Sequence, residues 1–379
     1  METEKPISQL EPPPDEAVLT PEPPRYRGLR GAFMGDQGLR AGWSVAIFIL
    51  LSLLFLRTLA LVASAIFGNH HLASTDSFSP FRAIVGEVVQ ALAFLCAGAL
   101  VALIERRRVV DYNLTGPRRF VHFLSGLVVG FASVSALVGA LAWGGWIHFG
   151  PVTLSGAQIF TYAALWAVAF LMTGLGEEGS FRCFLQFTIT RGVNFWWALG
   201  TVGIICLDLL LMGKGNGIWG VYVAALLGLA PCLWLHLKKA EGSNFWQAAW
   251  VTSTLFGYVH TGNGGENWIG IFAAAAIGFV FCVSIRLTGS AWWAIGCHSA
   301  WDWAETYFYG TADSGLPAKD HYLTAIPAGN PLMSGGTDGP EGSLLVLGII
   351  LLLLVALLAI YGRGKSAALD PPITQSHAG

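Results

Sequence analysis

The stretch WSVAIFILLSLLFLRTLALVASAIF, residues 43–67, runs for 25 residues with a single charge, Arg57. A helix rises about 1.5 Å per residue and a bilayer's hydrocarbon core is about 30 Å thick, so roughly 20 apolar residues suffice to cross it. Working outward, runs of the same kind occupy 83–104, 120–143 and 343–361, and shorter or weaker ones lie at 157–186, 196–213, 215–236, 246–261, 267–286 and 291–308. The pattern predicts an all-α fold, a polytopic transmembrane helical bundle of about ten spans (eight to twelve). Composition agrees, with 54% apolar and 12% charged residues and a mean hydropathy of +0.59. The 47 glycines suit helices that pack closely in lipid.

Charge placement sets the expected topology. Arg25, Arg27, Arg30 and Arg40 precede the first span, Arg106 to Arg108 with Arg118 and Arg119 sit between the second and third, and Lys238 and Lys239 follow the sixth. The positive-inside rule places these segments in the cytoplasm, with Lys214 and Lys319 as minor exceptions. Loops 68–81 and 150–156 lack Lys and Arg and fall outside, Arg363 and Lys365 fall inside, and both termini are expected to be cytoplasmic.

The expected organisation is a Pro-rich disordered tail (1–40), a helix pair (41–118), a central membrane domain (119–308), an exposed extracytoplasmic loop (309–340), a last spanning helix (341–365) and a tail (366–379). A net charge of −2 and the lack of a basic patch exclude a nucleic-acid partner. All six cysteines fall in apolar segments without C-x-x-C spacing, so neither a disulfide framework nor a zinc knuckle is indicated.

Ionisable residues at membrane depth need a partner or a task. Arg57 and Glu87 are expected to pair structurally, and Asp208 reads as a wet carboxylate near a helix end. A different group stands in GEEGSFR (176–182), FGYVH (256–260) and HSAWD (298–302). Each contains an i,i+4 pair, which a helix places on one face. Glu178 and Arg182 have the favoured acid-before-base order and should neutralise each other, leaving Glu177 about 100° away and free to act. His298 and Asp302 form a second pair in which the carboxylate orients the imidazole. Phe256 would wall His260 from water.

Glu177, Glu178 and Arg182, then Phe256 and His260, then His298 and Asp302 follow the order E-E-x-x-x-R, F-x-x-x-H, H-x-x-x-[N/D]. This resembles the CPBP family of intramembrane peptidases, also called the CAAX-protease and bacteriocin-processing or Abi family, over about residues 120–305. The resemblance implies hydrolysis of a peptide bond within the membrane, with Glu177 and His260 activating water and His298 and Asp302 polarising the carbonyl. An ionised carboxylate cannot hold an oxyanion, so Asp302 is assigned to orienting His298. Two features depart from the pattern: the apolar pair 196–213 and 215–236 lengthens the gap before His260, and Cys183 stands where many members have Gly.

The implied substrate is a peptide, or the C-terminal segment of a membrane-associated or lipidated protein, met at the lipid bilayer. In a bacterium the location would be the plasma (inner) membrane. No cofactor is favoured, although His260, His298 and either Glu178 or Asp302 would also make three ligands for Zn or another divalent metal with a fourth position open. Two other function classes fit some of these residues: an ion- or proton-coupled transporter, and a peptidase-like scaffold without activity. The first should show broken helices in repeated halves and the second a missing motif residue, and neither mark is in the sequence.

Overall fold

The structure, a computed structural model, describes residues 28–35, 38–68, 78–212, 217–239 and 242–362. Most of the Pro-rich tail, the tail at 366–379, Arg25, Arg27, Lys214, Arg363 and Lys365 lie outside these residues. The chain divides into two compact units, residues 1–40 and 41–379. In the first, a short helix (Leu29–Phe33) leads into an antiparallel pair, Met34–Gly35 with Gly38–Leu39. The segment expected to lack structure has this much local order in its described part.

In the second unit every apolar segment of the sequence is helical: α1 (Ala41–Phe67), α2 (Pro80–Ile104), α3 (Arg119–Trp143), α4 (Ala157–Glu178), α5 (Phe195–Leu211), α6 (Gly217–Ala224), α7 (Ser243–His260), α8 (Trp268–Thr288), α9 (Trp292–Trp303) and α10 (Leu344–Tyr361). Three of them run on through π turns. These are Gly179–Leu185 after α4, Ala225–Leu229 after α6 and Ala304–Tyr309 after α9. Beyond the first two turns the helix resumes, as Gln186–Thr190 and Ala230–Lys238.

Seven of these helices are long and apolar enough to cross a membrane: α1, α2, α3, α4 and α6 with their continuations, α8 and α10. The chain is an integral membrane protein built as a helical bundle. The other three fall short for physical reasons. Helix α5, at 17 residues, is one residue shorter than α10, the shortest of the seven. Helices α7 and α9 carry polar side chains, among them Gln247, Thr252, Ser253 and Ser299, that are buried against protein instead of facing lipid.

Local chemistry sets the helix ends. Ser79 caps α2 with Pro80 in its first turn. The Asn194 side chain accepts from Trp197 N at 3.0 Å to start α5. Asn267 accepts from Ile269 N at 2.7 Å and Gly270 N at 3.2 Å to start α8. Each side chain meets amide donors that a first turn leaves without a helical partner.

Helix α9 runs through the centre, and small residues let its neighbours reach its backbone. Gly126 and Gly130 of α3, one turn apart in GLVVG, lie against Trp293 and Cys297 of α9, and Gly296 lies against Phe123 of α3. A Cβ on Gly130 would overlap the Cys297 carbonyl oxygen and stand 3.0 Å from its carbonyl carbon. On the other side, a Cβ on Gly174 of α4 would stand 3.0 Å from the Ile295 carbonyl oxygen. Close helix approach of this kind gains dispersion contact where lipid supplies no hydrophobic drive.

One end of the bundle is tied by the buried Glu105, which accepts from Arg191 at 2.6 Å, Tyr112 at 2.9 Å and Ser44 at 2.5 Å. At the other end the segment expected to be an exposed loop, 309–340, is a folded cap. Strand β1 (Ile147–Phe149) pairs antiparallel with β2 (Ala325–Pro327). Asp338 is buried and accepts from Asn267 N at 3.0 Å, while Asn267 Nδ2 donates to Gly342 O at 3.1 Å. Gly335 and Gly339 take positive φ angles in the turns that fold this cap back on the α7–α8 connection.

Candidate active site

Three helices bring the motif residues to one place. Glu177 and Glu178 end α4, Arg182 lies in the π turn that follows, Phe256 and His260 end α7, and His298 and Asp302 lie on α9. Glu178 and Arg182 are both fully buried and pair at 3.2 Å, Nε to Oε2. The guanidinium also lies over the Phe256 ring, 4.1 Å from its centroid, with Phe281 at 5.4 Å. A cation this deep is stabilised by its carboxylate partner and by aromatic faces together. Gly278 of α8 leaves room for it, since a Cβ there would overlap Arg182 Nη2.

The pairing expected from spacing is therefore formed, but Glu178 does more than neutralise Arg182. Its Oε1 is 2.8 Å from His298 Nδ1. Asp302, the partner expected to orient this imidazole, stands farther off, at 3.5 Å from Nε2, and Glu177 is 3.9 Å from the same nitrogen. Sequence spacing favoured Asp302 because it is four residues away; the shorter bond spans 120 positions and needs the tertiary fold. Phe281 stacks on His298 at 5.8 Å and Phe256 meets it edge-on at 6.2 Å, fixing the ring between them.

The His260 ring is fixed differently. Its Nδ1 is 2.7 Å from the main-chain carbonyl of Phe256, one helical turn back. A carbonyl only accepts, so Nδ1 carries the proton in the neutral ring and the lone pair stays on Nε2. Phe256 packs edge-on against the same ring, 4.6 Å between centroids.

Glu177, His260, His298 and Asp302 line one cavity of about 240 Å³, with Phe256 in its wall. Glu178 and Arg182 stand behind it as support. Several cavity residues were not singled out from the sequence: Gln90 and Thr173 from α2 and α4, Asn263 and Glu266 from the α7–α8 connection, Trp301 from α9, and Asp313, Ser314 and Glu341 from the cap. Asn263 Nδ2 donates to Glu266 at 2.9 Å, Thr306 to Asp313 at 2.8 Å and Trp301 Nε1 to Glu341 at 2.6 Å. Burial pushes the Asp313 carboxyl up to about 6 and the Asp338 carboxyl up to about 7, and it raises Glu266 and Glu341 as well.

Two structural expectations are corrected. Arg57 is exposed on α1 and forms no pair with Glu87, which faces the polar cavity instead. Matching depth along two helices said nothing about which way each face turns. Asp208 is a partner and not a loose surface acid, accepting from the Tyr258 hydroxyl at 2.5 Å and so joining α5 to α7. For a metal, among the described residues no group of three or more His, Cys, Asp or Glu side chains is placed to hold an ion. In the set of His260, His298 and Glu178 or Asp302, the Glu178 oxygens face His298 and Arg182, while the His260 Nδ1 proton on a carbonyl leaves Nε2 free.

No curated protein and no solved structure matches the chain. Residues 159–304 match the family model described as Type II CAAX prenyl endopeptidase Rce1-like, a span that contains all seven motif residues from Glu177 to Asp302. Over residues 159–304, fewer than half of the chain, the protein is thus similar to CAAX-type intramembrane proteases, in agreement with the CPBP resemblance of its motifs.

Proposed function

We propose that the protein is an intramembrane endopeptidase that hydrolyses a peptide bond of a membrane-associated or lipidated protein with water activated by Glu177 and His260. The observation that carries this reading is the shared cavity: a carboxylate, an imidazole with its lone pair on Nε2, and a second imidazole held by Glu178 line a single sheltered space.

In the first step Glu177 or His260 Nε2 takes a proton from water as the water oxygen adds to the substrate carbonyl carbon. The carbonyl electron pair moves onto oxygen, and this oxyanion accepts a hydrogen bond from His298. Because Nδ1 donates to Glu178, the N–H offered to the oxyanion is that of Nε2 in the imidazolium. A preorganised donor of this kind in a dry site is worth about 3–4 kcal/mol in the transition state. The carbon–nitrogen bond then breaks, and the proton held by Glu177 or His260 passes to the leaving amine. Asp302 stays beside Nε2, while Arg182 pairs with Glu178, the ring's anchor.

On the topology that the basic loops favour, the site lies among the helices and beneath a cap on the extracytoplasmic side. In a bacterium the membrane is the plasma membrane. The test is cleavage of a peptide library by purified protein in detergent, beside Glu177→Gln, His260→Ala and a chelator arm. Loss of about 100-fold or more in both variants, with activity kept under chelation, is expected. Intact cleavage by the Glu177 variant removes the proposed base.

A further inference from the structure

The cavity is more acidic than this chemistry requires. Besides Glu177 and Asp302 it is lined by Glu87, Glu266, Asp313 and Glu341, and among the described residues no Lys or Arg lines it. The two imidazoles do not balance these charges: His298 already faces Glu178, Asp302 and Glu177, and His260 spends Nδ1 on the Phe256 carbonyl.

Glu305 makes the imbalance sharper. It lies one turn past Asp302, is fully buried, and neither of its carboxylate oxygens has a hydrogen-bond partner. The charges that bear on it most are those of Glu341, Asp313, Asp302 and Asp338, so its carboxylate sits within the acidic group. Glu87 and Glu266 each have a second buried oxygen, Oε2, without a partner. Glu87 and Glu266 line the cavity, so their unpartnered oxygens are spare capacity for a donor from outside the chain, and Glu305 adds its buried carboxyl behind the wall.

The described acids do not converge as a chelating group of three. Those that line the cavity stand around a space of about 240 Å³. That arrangement suits a ligand with several N–H donors pointing in different directions, which an ammonium or a guanidinium supplies.

We propose that the cap end of the cavity, formed by Glu266, Asp313 and Glu341, is a specificity subsite for a cationic side chain, Lys or Arg, of the peptide substrate. This rests on the peptidase reading and gives it a substrate class. The cation occupies the side of Glu177 and His260 nearest the cap, so the basic residue lies within a few positions of the scissile bond. Burial raises the Asp313, Glu266 and Glu341 carboxyls, and a bound cation offsets that effect by favouring their ionised forms.

The experiment uses full-length protein in detergent and peptide pairs identical except for Arg against citrulline, its neutral near-isostere, scanned through the positions flanking the cut. At one position the Arg peptide is expected to show at least about tenfold higher kcat/KM, through KM. In Asp313→Asn and in Glu341→Gln the Arg-to-citrulline ratio should fall to about threefold or less. A ratio near one in the wild type at every position overturns the proposal while leaving the peptidase reading intact, as does a high ratio that both variants preserve.

If no peptide is cleaved, the peptidase reading fails, and binding decides the subsite separately. Fluorescence anisotropy of the labelled Arg and citrulline peptides should then still show the difference in Kd and its loss in the variants. Equal binding of the two overturns the subsite. Should one variant fail to fold, the wild-type ratio and the other variant carry the same decision.

Discussion

Replacing Gly130 by Ala adds one methyl group outside the cavity and should disable the site. A Cβ at this position of α3 would stand 3.0 Å from the carbonyl carbon of Cys297 and overlap its oxygen. Non-bonded carbon atoms settle at about 3.5–4.0 Å, so α3 and α9 must part by about 0.5–1 Å. His298 is the next residue after Cys297, and its Nδ1 is 2.8 Å from Glu178 on α4. A shift of that size carries the pair to about 3.3–3.8 Å, outside the usual range for such a bond. A misplacement near 1 Å costs about 100-fold in rate, so a fall of about 10- to 100-fold in kcat/KM is expected. The accompanying loss of stability is that of an overpacked core, about 1–3 kcal/mol. The assay is peptide cleavage by purified protein in detergent, with thermal unfolding of the same samples as the check on folding. Gly139→Ala is the control, because a Cβ on that glycine of the same helix meets nothing within 4 Å. Cleavage by a folded Gly130→Ala variant at the Gly139→Ala rate would refute the argument that this helix crossing sets the site.

Two further outcomes are expected. Glu178→Gln leaves the fully buried Arg182 without its counter-charge and should destabilise the protein by about 3–5 kcal/mol; Glu178→Gln with Arg182→Met should recover most of the Tm but none of the cleavage, because His298 still lacks its anchor. Burial raises Asp338 from 3.8 to about 7, so the folded state binds this proton more tightly than the unfolded one; its contribution to stability is complete below about pH 4 and is lost as pH rises through about 7. Thermal unfolding of the wild type should therefore show Tm falling between pH 5 and 8, with a shallower slope in Asp338→Asn.

The bundle could be read in the sequence because a bilayer imposes length and apolarity on each span separately. Residues 43–67 reveal a helix without reference to any other part of the chain. The i,i+4 pair of Glu178 and Arg182 was legible for the same reason, since one helix supplies both partners. What could not be read depends on how helices turn toward one another. Glu87 was visible as a buried acid, yet its facing toward Glu177 and away from Arg57 is decided by packing of α2 on α4. The Glu178 to His298 bond joins two helices whose separation in sequence carries no period. Asp313 and Glu341 sit in a cap whose turns depend on Gly335 and Gly339, and such a segment has neither hydropathy nor alternation to mark its acids as buried. Polar α7 and α9 showed only as weak apolar runs, 246–261 and 291–308, as neither has the composition of a free-standing span.

The π turns at Gly179–Leu185 and Ala304–Tyr309 begin just after Glu178 and Asp302. A wide turn accommodates one residue beyond the α-helical count without breaking the rod, so each stretch on either side keeps its own angular register. Deleting a single residue from 179–185 and letting the chain close into regular helix would swing Glu177 and Glu178 by about 100° relative to everything downstream. Every side chain of the site would still be encoded, and the span would still cross the bilayer, but the two acids would address different neighbours. Chain length within these seven residues is thus as much a determinant of the chemistry as the identity of any acid or imidazole.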